Sequence, residues 1–307
     1  MRISVIAGAR PNFIKIAPLM AAMREEAPDA IEPVLVHTGQ HYDANMSDAF
    51  FRDLDLPAPD VHLGVGSGSH AEQTAKIMTA FEKACLDERP GMVLVVGDVN
   101  STMACAIVAA KLGISVAHVE AGLRSFDRSM PEEINRVVTD AIADWLFVSE
   151  PSGVENLRRE GKDPSRVFFT GNVMIDTLAR YRPAAARSPI MGTLGAEPGQ
   201  YGVVTLHRPS NVDRREVLEP LLGALSDLGK RLPLFFAIHP RTKGRIAEWG
   251  LGGCFSDPPA SSTVIDPGPR LTREVRAARG ATRAHTWQVC NGGATTRCDA
   301  DRAVRRR

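Results

Sequence analysis

Short, unbroken apolar segments that end at glycine or a polar residue recur along the first half of the chain. Residues 93–96 are Val-Leu-Val-Val, and they are followed at once by Gly97 and Asp98. No polar position alternates with the apolar ones, which is typical of a strand buried on both faces. Similar segments occupy residues 2–7, 33–38, 115–119, 145–148 and 167–170. Helix-length segments separate them, so the pattern predicts a parallel, doubly wound α/β sheet.

Two acidic residues follow these segments closely, and a third lies near the start of a predicted helix. Asp98 comes just after one predicted strand, and Glu120 comes directly after the next. Neighbouring parallel strands end at the same edge of a sheet, and ligands of open α/β sheets bind in the crevice there. Glu132 follows Pro131, which suits the first turn of a helix. The sequence therefore predicts that Asp98, Glu120 and Glu132 converge on one crevice.

Each acid also has an ordinary structural explanation. Asp98 could cap the following helix, and Glu120 could form an ion pair with Arg124. Glu132 could be favoured in a first helical turn by the helix dipole alone. The residues by themselves leave both explanations open.

The helix after Asp98 is predicted over about residues 102–111. Asn100 or Ser101 would cap it, because short polar side chains accept hydrogen bonds from the first N–H groups of a helix. Gly113 would end it before the next strand.

The first strand leads into Gly-Ala-Arg-Pro at residues 8–11, and a helix is predicted over about residues 12–25. A turn between a strand and a helix amino end favours phosphate, since N–H groups and the helix dipole both point there. Arg10 and Lys15 add positive charge. The alternatives are a surface turn for Arg10 and a solvated helix face for Lys15. The motif is neither a Walker A loop nor the dinucleotide fingerprint.

The strand–helix pattern restarts in the second half. Residues 181–200 are rich in Pro, Ala, Arg and Gly with weak periodicity, which indicates a linker between domains 1–180 and 201–265. A predicted strand ends just before His207 and Arg208. Imidazole titrates near neutral pH and guanidinium binds phosphate in a fork, so these two side chains could transfer a proton or neutralise a phosphate. The alternative for His207 is a structural turn histidine.

Composition narrows the function classes. The chain has 307 residues, 44% of them hydrophobic and 24% charged, which is typical of a globular protein of two ordinary domains. A net charge of +1 argues against bulk nucleic-acid binding.

The first apolar segment is too short for a signal peptide, and no apolar run has membrane-spanning length, so we expect a cytoplasmic protein without membrane partners. Five cysteines without a Cys-x-x-Cys pair indicate neither a disulfide framework nor a structural zinc site.

Several motifs together resemble the non-hydrolysing UDP-N-acetylglucosamine 2-epimerases. They are Gly-Ala-Arg-Pro at 8–11, Thr-Gly-Gln-His at 38–41, Gly-Asp at 97–98, His-Val-Glu-Ala-Gly-Leu-Arg at 118–124, Pro-Glu-Glu-Ile-Asn-Arg at 131–136, Thr-Gly-Asn at 170–172 and Thr-Leu-His-Arg at 205–208. The resemblance implies a B-type glycosyltransferase-like fold with two Rossmann-like domains that face a cleft. It also implies conversion of UDP-N-acetylglucosamine to UDP-N-acetylmannosamine for cell-surface polysaccharide synthesis, by UDP elimination and re-addition through 2-acetamidoglucal. A related alternative is a 2-epimerase of a modified UDP-sugar.

The resemblance assigns roles by matching position. The catalytic candidates are Asp98, Glu120, Glu132 and His207. The candidates for binding the UDP-sugar substrate are Arg10, Lys15, Arg136, Arg208 and Asn211. Gln40 and His41 match a loop associated with a second, regulatory UDP-sugar site. The resemblance further implies a homodimer, with no metal or redox cofactor.

The resemblance fades after about residue 250. The family's Asp-Ser-Gly-Gly turn and paired glutamates, which bind the nucleotide, are missing from residues 266–307, an atypical Arg-rich tail. The tail lacks regular apolar periodicity, so we expect an incomplete second domain and a largely disordered tail. A shifted reading frame or a truncated gene end would explain it, and a basic tail that binds nucleic acid is the alternative. A catalytically silent homologue that still binds a sugar nucleotide or dimerises is therefore a competing hypothesis.

Overall fold

The computed structural model describes residues 1–39, 51, 54–252 and 262–265. The chain forms two compact units, Met1–Arg180 and Tyr181–Arg307. A parallel sheet lies at the centre of each unit.

The sheet of the first unit has seven described strands. They are β1 (Arg2–Ala7), β2 (Glu32–His37), β3 (Val61–His62), β4 (Met92–Val96), β5 (Ser115–Val119), β6 (Trp145–Val148) and β7 (Val167–Phe169). All pair in parallel, in the order β3-β2-β1-β4-β5-β6-β7. The direction of strand addition reverses between β1 and β4, so the ligand crevice of such a sheet opens at the carboxyl ends of these two strands.

Helices cover both faces of this sheet. They are α1 (Arg10–Glu26), α2 (His70–Glu88), α3 (Asn100–Lys111), α4 (Pro131–Ile142), α5 (Pro151–Arg159) and α6 (Val173–Ala186). Successive residues of β4 point to opposite faces: Val93 and Val95 pack in one core cluster, and Leu94 and Val96 pack in the other. Both sides of the strand are buried, which explains why its sequence is apolar without alternation.

The second unit has a smaller described sheet, in the order β10-β9-β8. Its elements are α7 (Ile190–Thr193), β8 (Gly202–Val204), α8 (Pro209–Val212), α9 (Arg215–Gly229), β9 (Leu234–Ala237), α10 (Pro240–Glu248) and β10 (Ser262–Ile265). Leu218, Leu222, Phe236 and Ile246 are buried together in its core. The predicted linker, residues 181–200, contains the end of α6 and all of α7. The Arg-rich tail, residues 266–307, lies outside the described residues.

The predicted cap of α3 is wrong. The helix begins at Asn100 with Val99 in the capping position, and the cap involves no side-chain hydrogen bond. The side chains of the two predicted capping residues bond to other parts of the fold. The Asn100 amide donates to Gln73 Oε1 at 2.8 Å, and Ser101 Oγ lies 2.8 Å from Thr38 Oγ1. Tertiary hydrogen bonds to other elements have replaced local capping.

Candidate functional site

The strand-end residues of the first unit lie where β1, β4 and β5 finish side by side. Asp98 follows β4 after Gly97, and Glu120 follows β5 directly. Lys15 lies in α1, the helix that leaves β1. These three side chains therefore lie on the edge of the sheet where the strand order reverses.

Lys15 and Glu120 form an ion pair between Nζ and Oε2. The lysine is buried, at 9% exposure, so it does not lie on a solvated helix face. Gly97 adjoins the pair at a φ of +71°, and a Cβ built on it would lie 3.1 Å from Lys15 Nζ. The alternative partner of Glu120, Arg124, bonds instead to two other carboxylates.

The backbone of Glu120 is unusual. Its φ is +73°, in the left-handed region that non-glycine residues seldom adopt. The N–H groups of Glu120 and Ala121 both donate to the Phe147 carbonyl, at 2.9 and 3.0 Å. Strained conformations of this kind persist where surrounding groups fix them, and they cluster at functional sites.

Asp98 and Arg136 form a second ion pair, through Oδ2 and Nη2. Asn135 Nδ2 donates to the Asp98 carbonyl at 2.8 Å, so α4 holds both the backbone and the side chain of this acid. The cap of α3 involves no side-chain hydrogen bond, so the structural alternative for Asp98 is wrong. The crevice edge thus carries two carboxylate–cation pairs.

Glu132 and its neighbour Glu133 lie in the first turn of α4, after Pro131 as predicted, but their surroundings differ. Glu132 is exposed, and within the described part of the chain it makes no side-chain hydrogen bond or ion pair. Glu133 is buried and accepts hydrogen bonds from the Ser125 N–H at 2.8 Å and the Phe126 N–H at 3.0 Å. Burial acts to raise the pKa of Glu133, but these hydrogen bonds outweigh it and hold that pKa below its usual value.

Sequence reasoning missed several residues that support this edge. Asn12 Oδ1 accepts from the Ala9 N–H at 2.9 Å and its Nδ2 donates to the Val96 carbonyl at 2.7 Å, which ties the start of α1 to the end of β4. His118 lies within β5 and bonds to Asp140 of α4. A histidine inside an otherwise apolar strand was the available signal, because a buried polar ring requires hydrogen-bond partners.

The predicted site residues of the second unit follow β8. His207 and Arg208 are exposed, and Arg208 is the residue before α8, which contains Asn211. The His207 ring lies 6.1 Å, centroid to centroid, from that of His239, which follows β9. Neighbouring strand ends therefore bring these two histidines together.

Some predicted residues lie outside the described part of the chain, namely Gln40, His41 and the side chain of Arg10. Among the residues that are described, no cluster of three or more His, Cys, Asp or Glu could hold a metal ion. Over the same residues, no helix has the length and apolar character needed to cross a bilayer.

Comparison with known proteins decides the family. The family model described as UDP-N-acetylglucosamine 2-epimerase matches residues 23–267. The chain belongs to this family. Its members are isomerases that act on carbohydrates. The family predicted from the motifs and the α/β fold class predicted from the apolar segments are confirmed.

Individual members of the UDP-N-acetylglucosamine 2-epimerase family resemble this chain closely. The epimerase of Methanocaldococcus jannaschii is 42% identical over 256 residues, which cover 82% of this chain and 69% of that protein. Its crystal structure in complex with UDP-GlcNAc and UDP has a TM-score of 0.77, at 40% identity over 90% of this chain and 75% of the other. The UDP-2,3-diacetamido-2,3-dideoxy-D-glucuronate 2-epimerase of Pseudomonas aeruginosa is 41% identical over 254 residues, which cover 82% of this chain and 70% of that protein.

Proposed function

We propose that this chain interconverts UDP-N-acetylglucosamine and UDP-N-acetylmannosamine by inverting C2 of the sugar. The observation that carries the proposal is the presence of two carboxylate–cation pairs, Lys15 with Glu120 and Arg136 with Asp98, at the switch point of the sheet. In a member of the UDP-N-acetylglucosamine 2-epimerase family, this edge offers proton-transfer groups beside cations. The reaction needs both.

The substrate dictates an indirect route. The hydrogen on C2 has no adjacent carbonyl, so its direct removal and return is unfavourable. In an elimination, a base removes the C2 proton, the C1=C2 bond forms, and the C1–O bond breaks with its electron pair leaving on UDP. Re-addition delivers a proton to the other face of C2 while a UDP oxygen bonds to C1. Proton transfer by positioned side chains and stabilisation of the departing charge would lower both barriers.

The residues of this chain can be assigned to these tasks. We assign proton transfer at the sugar to the strand-end and helix-start acids Asp98, Glu120 and Glu132, together with His207. We assign binding of the negatively charged substrate to Arg10, Lys15, Arg136, Arg208 and Asn211. The cations act mainly on the leaving group, because charge builds up on the pyrophosphate as the C1–O bond breaks.

A second candidate substrate is a modified UDP-sugar that carries acetamido groups on C2 and C3. The observation that favours it is that the chain is almost equally identical to the Methanocaldococcus jannaschii epimerase, at 42%, and to the Pseudomonas aeruginosa diacetamido-sugar epimerase, at 41%. The same elimination chemistry would serve both sugars, because each has an acetamido group beside C1.

We further propose that the chain acts as a homodimer in the cytoplasm and supplies a precursor for cell-surface polysaccharide. We also propose that Gln40 and His41 contribute to a regulatory UDP-sugar site. The motif resemblance supports the homodimer, the precursor role and the regulatory site. Sedimentation velocity would measure the oligomeric state. Initial rates of UDP-N-acetylmannosamine conversion, with and without added UDP-N-acetylglucosamine, would test the regulatory site when wild type is compared with a Gln40→Ala variant.

The proposed activity can be tested with purified protein and two substrates in parallel. Proton NMR of the anomeric region should show UDP-N-acetylmannosamine appearing from UDP-N-acetylglucosamine, or the 2-epimer appearing from the diacetamido sugar if that is the substrate. The Glu120→Gln variant serves as the inactive control. Calorimetric binding of either sugar nucleotide without conversion would favour the silent homologue and refute the proposal.

A further inference from the structure

Two tight turns fix where the strand-end acids of the first unit lie. Gly97, at a φ of +71°, precedes Asp98, while the other turn begins with Glu120 at +73° and passes through Gly122 at +77°. The left-handed backbone of Glu120 is costly for a non-glycine residue and requires support from its surroundings. Groups that bond to both turns therefore control the position of both carboxylates.

A single buried carboxylate connects the two turns. Asp140 Oδ2 accepts a hydrogen bond from the Gly122 N–H at 2.9 Å, and its Oδ1 lies 2.6 Å from His118 Nδ1. On the other side of the ring, His118 Nε2 lies 2.9 Å from the Gly97 carbonyl oxygen. The side chains of Asp140 and His118 both have 0% exposure. A continuous hydrogen-bonded path thus runs from one acid-bearing turn to the other.

The donors and acceptors along this path can be identified. Both ring nitrogens of His118 face acceptor oxygens, so the ring donates to both only when each nitrogen carries a hydrogen. Arg124 Nη1 lies 2.7 Å from Asp140 Oδ2 and is a third donor to this carboxylate, after the Gly122 N–H and His118 Nδ1. Burial acts to raise the pKa of Asp140, but the charge and hydrogen bond of His118 and the charge of Arg124 outweigh burial, and its pKa lies below the usual value. Asp140 is therefore a buried anion surrounded by donors.

The second turn is also tightly enclosed. Asn156 Nδ2 of α5 donates to the Gly122 carbonyl at 2.9 Å. A Cβ added to Gly122 would overlap the backbone of Gly153 in the same helix. The turn therefore has little room to relax toward α5, and Asp140 holds it from the α4 side.

We propose that Asp140 and His118 are positioning residues of the epimerisation, which hold Asp98 and Glu120 in the geometry needed for proton transfer. They act through the turns, since neither side chain is exposed to a substrate. This inference rests on the proposed function, and it gives roles to two residues to which the resemblance assigned none, although His118 begins one of the matching motifs.

Two substitutions at one position separate positioning from simple loss of structure. Asp140→Ala removes the connection, whereas Asp140→Asn can preserve it. The Asn oxygen can accept from Gly122, and its NH2 can donate to Nδ1 of a neutral His118 whose Nε2–H still donates to the Gly97 carbonyl. Asp140→Ala should lower kcat about 100-fold, the effect of a displacement near 1 Å in a reacting group. Asp140→Asn should recover at least about tenfold of that loss.

The Michaelis constant provides the second readout. Asp140 does not contact substrate, so KM in Asp140→Ala should stay within about threefold of wild type while kcat falls. Asp144 offers a matched control, because its Oδ2 accepts from the Val116 N–H at 2.9 Å at the opposite end of β5. Asp144→Ala should leave kcat within about twofold of wild type. Equal losses of kcat in Asp140→Ala and Asp144→Ala, or a wild-type kcat in Asp140→Ala, would overturn the inference.

Amide hydrogen exchange separates this inference from the proposed function. Asp140→Ala should speed exchange in peptides that contain residues 97–98 and 120–122, whereas Asp144→Ala should speed it around residues 115–116. Unchanged exchange at 97–98 and 120–122 in Asp140→Ala would overturn the positioning inference, whether or not the wild-type chain turns over. A wild-type chain without epimerase activity but with the predicted exchange pattern would refute the proposed function and retain Asp140 and His118 as the support of the two turns.

Discussion

Lys15 and Glu120 are in direct contact, although one lies in the helix after the first strand and the other follows the fifth. The sheet places β1 and β5 on either side of β4, so the pair spans the end of the intervening strand. Gly97 at that end has no side chain to separate them. The fold thus assembles an acid–cation pair from βα units that are distant in sequence.

Removing one member of this pair should impair turnover. Lys15→Met should lower kcat/KM about 100-fold, because it removes a cation from a site where negative charge develops. Lys111→Met, at an exposed position in the last turn of α3, is the matched control and should keep wild-type activity. The rates can be measured by NMR of the epimerised sugar nucleotide. Equal rates in the two variants would show that the Lys15–Glu120 pair is only structural.

The pair of Asp98 and Arg136 should respond to geometry as well as to charge. Arg136 bonds to Asp98 and also to Glu133 Oε2 at 3.1 Å, a two-sided contact that guanidinium can make and ammonium matches poorly. Arg136→Lys should therefore lower kcat at least about tenfold despite its retained charge. Arg158→Lys, on the exposed face of α5, is the control. A fully active Arg136→Lys variant would contradict this account of the pair.

Glu132 and Glu133 should separate catalysis from stability. Glu132→Gln should lower kcat while leaving the thermal midpoint unchanged, because the side chain is exposed and bonds to no other group among the residues that the structure describes. Glu133→Gln should lower the free energy of unfolding by about 1–3 kcal/mol, since an amide satisfies fewer of the donors around it. Differential scanning calorimetry and NMR kinetics on both variants would check the contrast. The opposite assignment, with a destabilised Glu132→Gln, would contradict the observed burial.

The unfolding free energy should depend on His37 at mildly acidic pH. Burial, with a smaller effect of His62, lowers the pKa of His37 to about 4, from 6.5 in the unfolded chain. Below pH 6.5 the His37 ring therefore binds a proton in the unfolded state, whereas in the folded state it stays neutral down to about pH 4. The free energy of unfolding consequently decreases as the pH falls from 6.5 to about 4.

Comparison of wild type with a His37→Gln variant isolates the contribution of His37 to the pH dependence of the unfolding free energy. Wild type should lose on the order of 1 kcal/mol per pH unit more than His37→Gln between pH 6.5 and pH 4. Urea unfolding at several pH values would give both curves. Parallel curves for the two proteins would show that His37 takes up its proton equally in both states.

The fold was predictable because its signal is local. The run from Val93 to Val96 has no polar position, and the structure buries both of its faces, so the strand type and the sheet class followed from the chain alone. The cap of α3 was not predictable, because Asn100 bonds to α2 and Ser101 bonds to Thr38, the residue after β2, rather than to their own helix. Local preference is overridden where a tertiary partner is available.

The strand-end positions of the candidate acids could be predicted from the sequence, but their ion-pair partners could not. Strand-end position marked Asp98 and Glu120, yet nothing local in the sequence distinguishes Arg124 from Lys15 as the partner of Glu120. The roles of Glu132 and Glu133 differ because one faces solvent and the other faces the Ser125–Phe126 backbone, a distinction set by how α4 packs. His118 and Asp140 were missed for the same reason, since their bond joins a strand to a helix.

Deuterium incorporation at C2 tests the central claim most directly. The wild-type chain is incubated with UDP-N-acetylglucosamine in heavy water, and the sugar nucleotides are examined by NMR and mass spectrometry, with Glu120→Gln as the control. The account predicts that epimerised product carries one deuterium at C2 and that Glu120→Gln gives none. Product that keeps its original C2 hydrogen, or wild-type protein that neither exchanges nor epimerises the substrate, would contradict it.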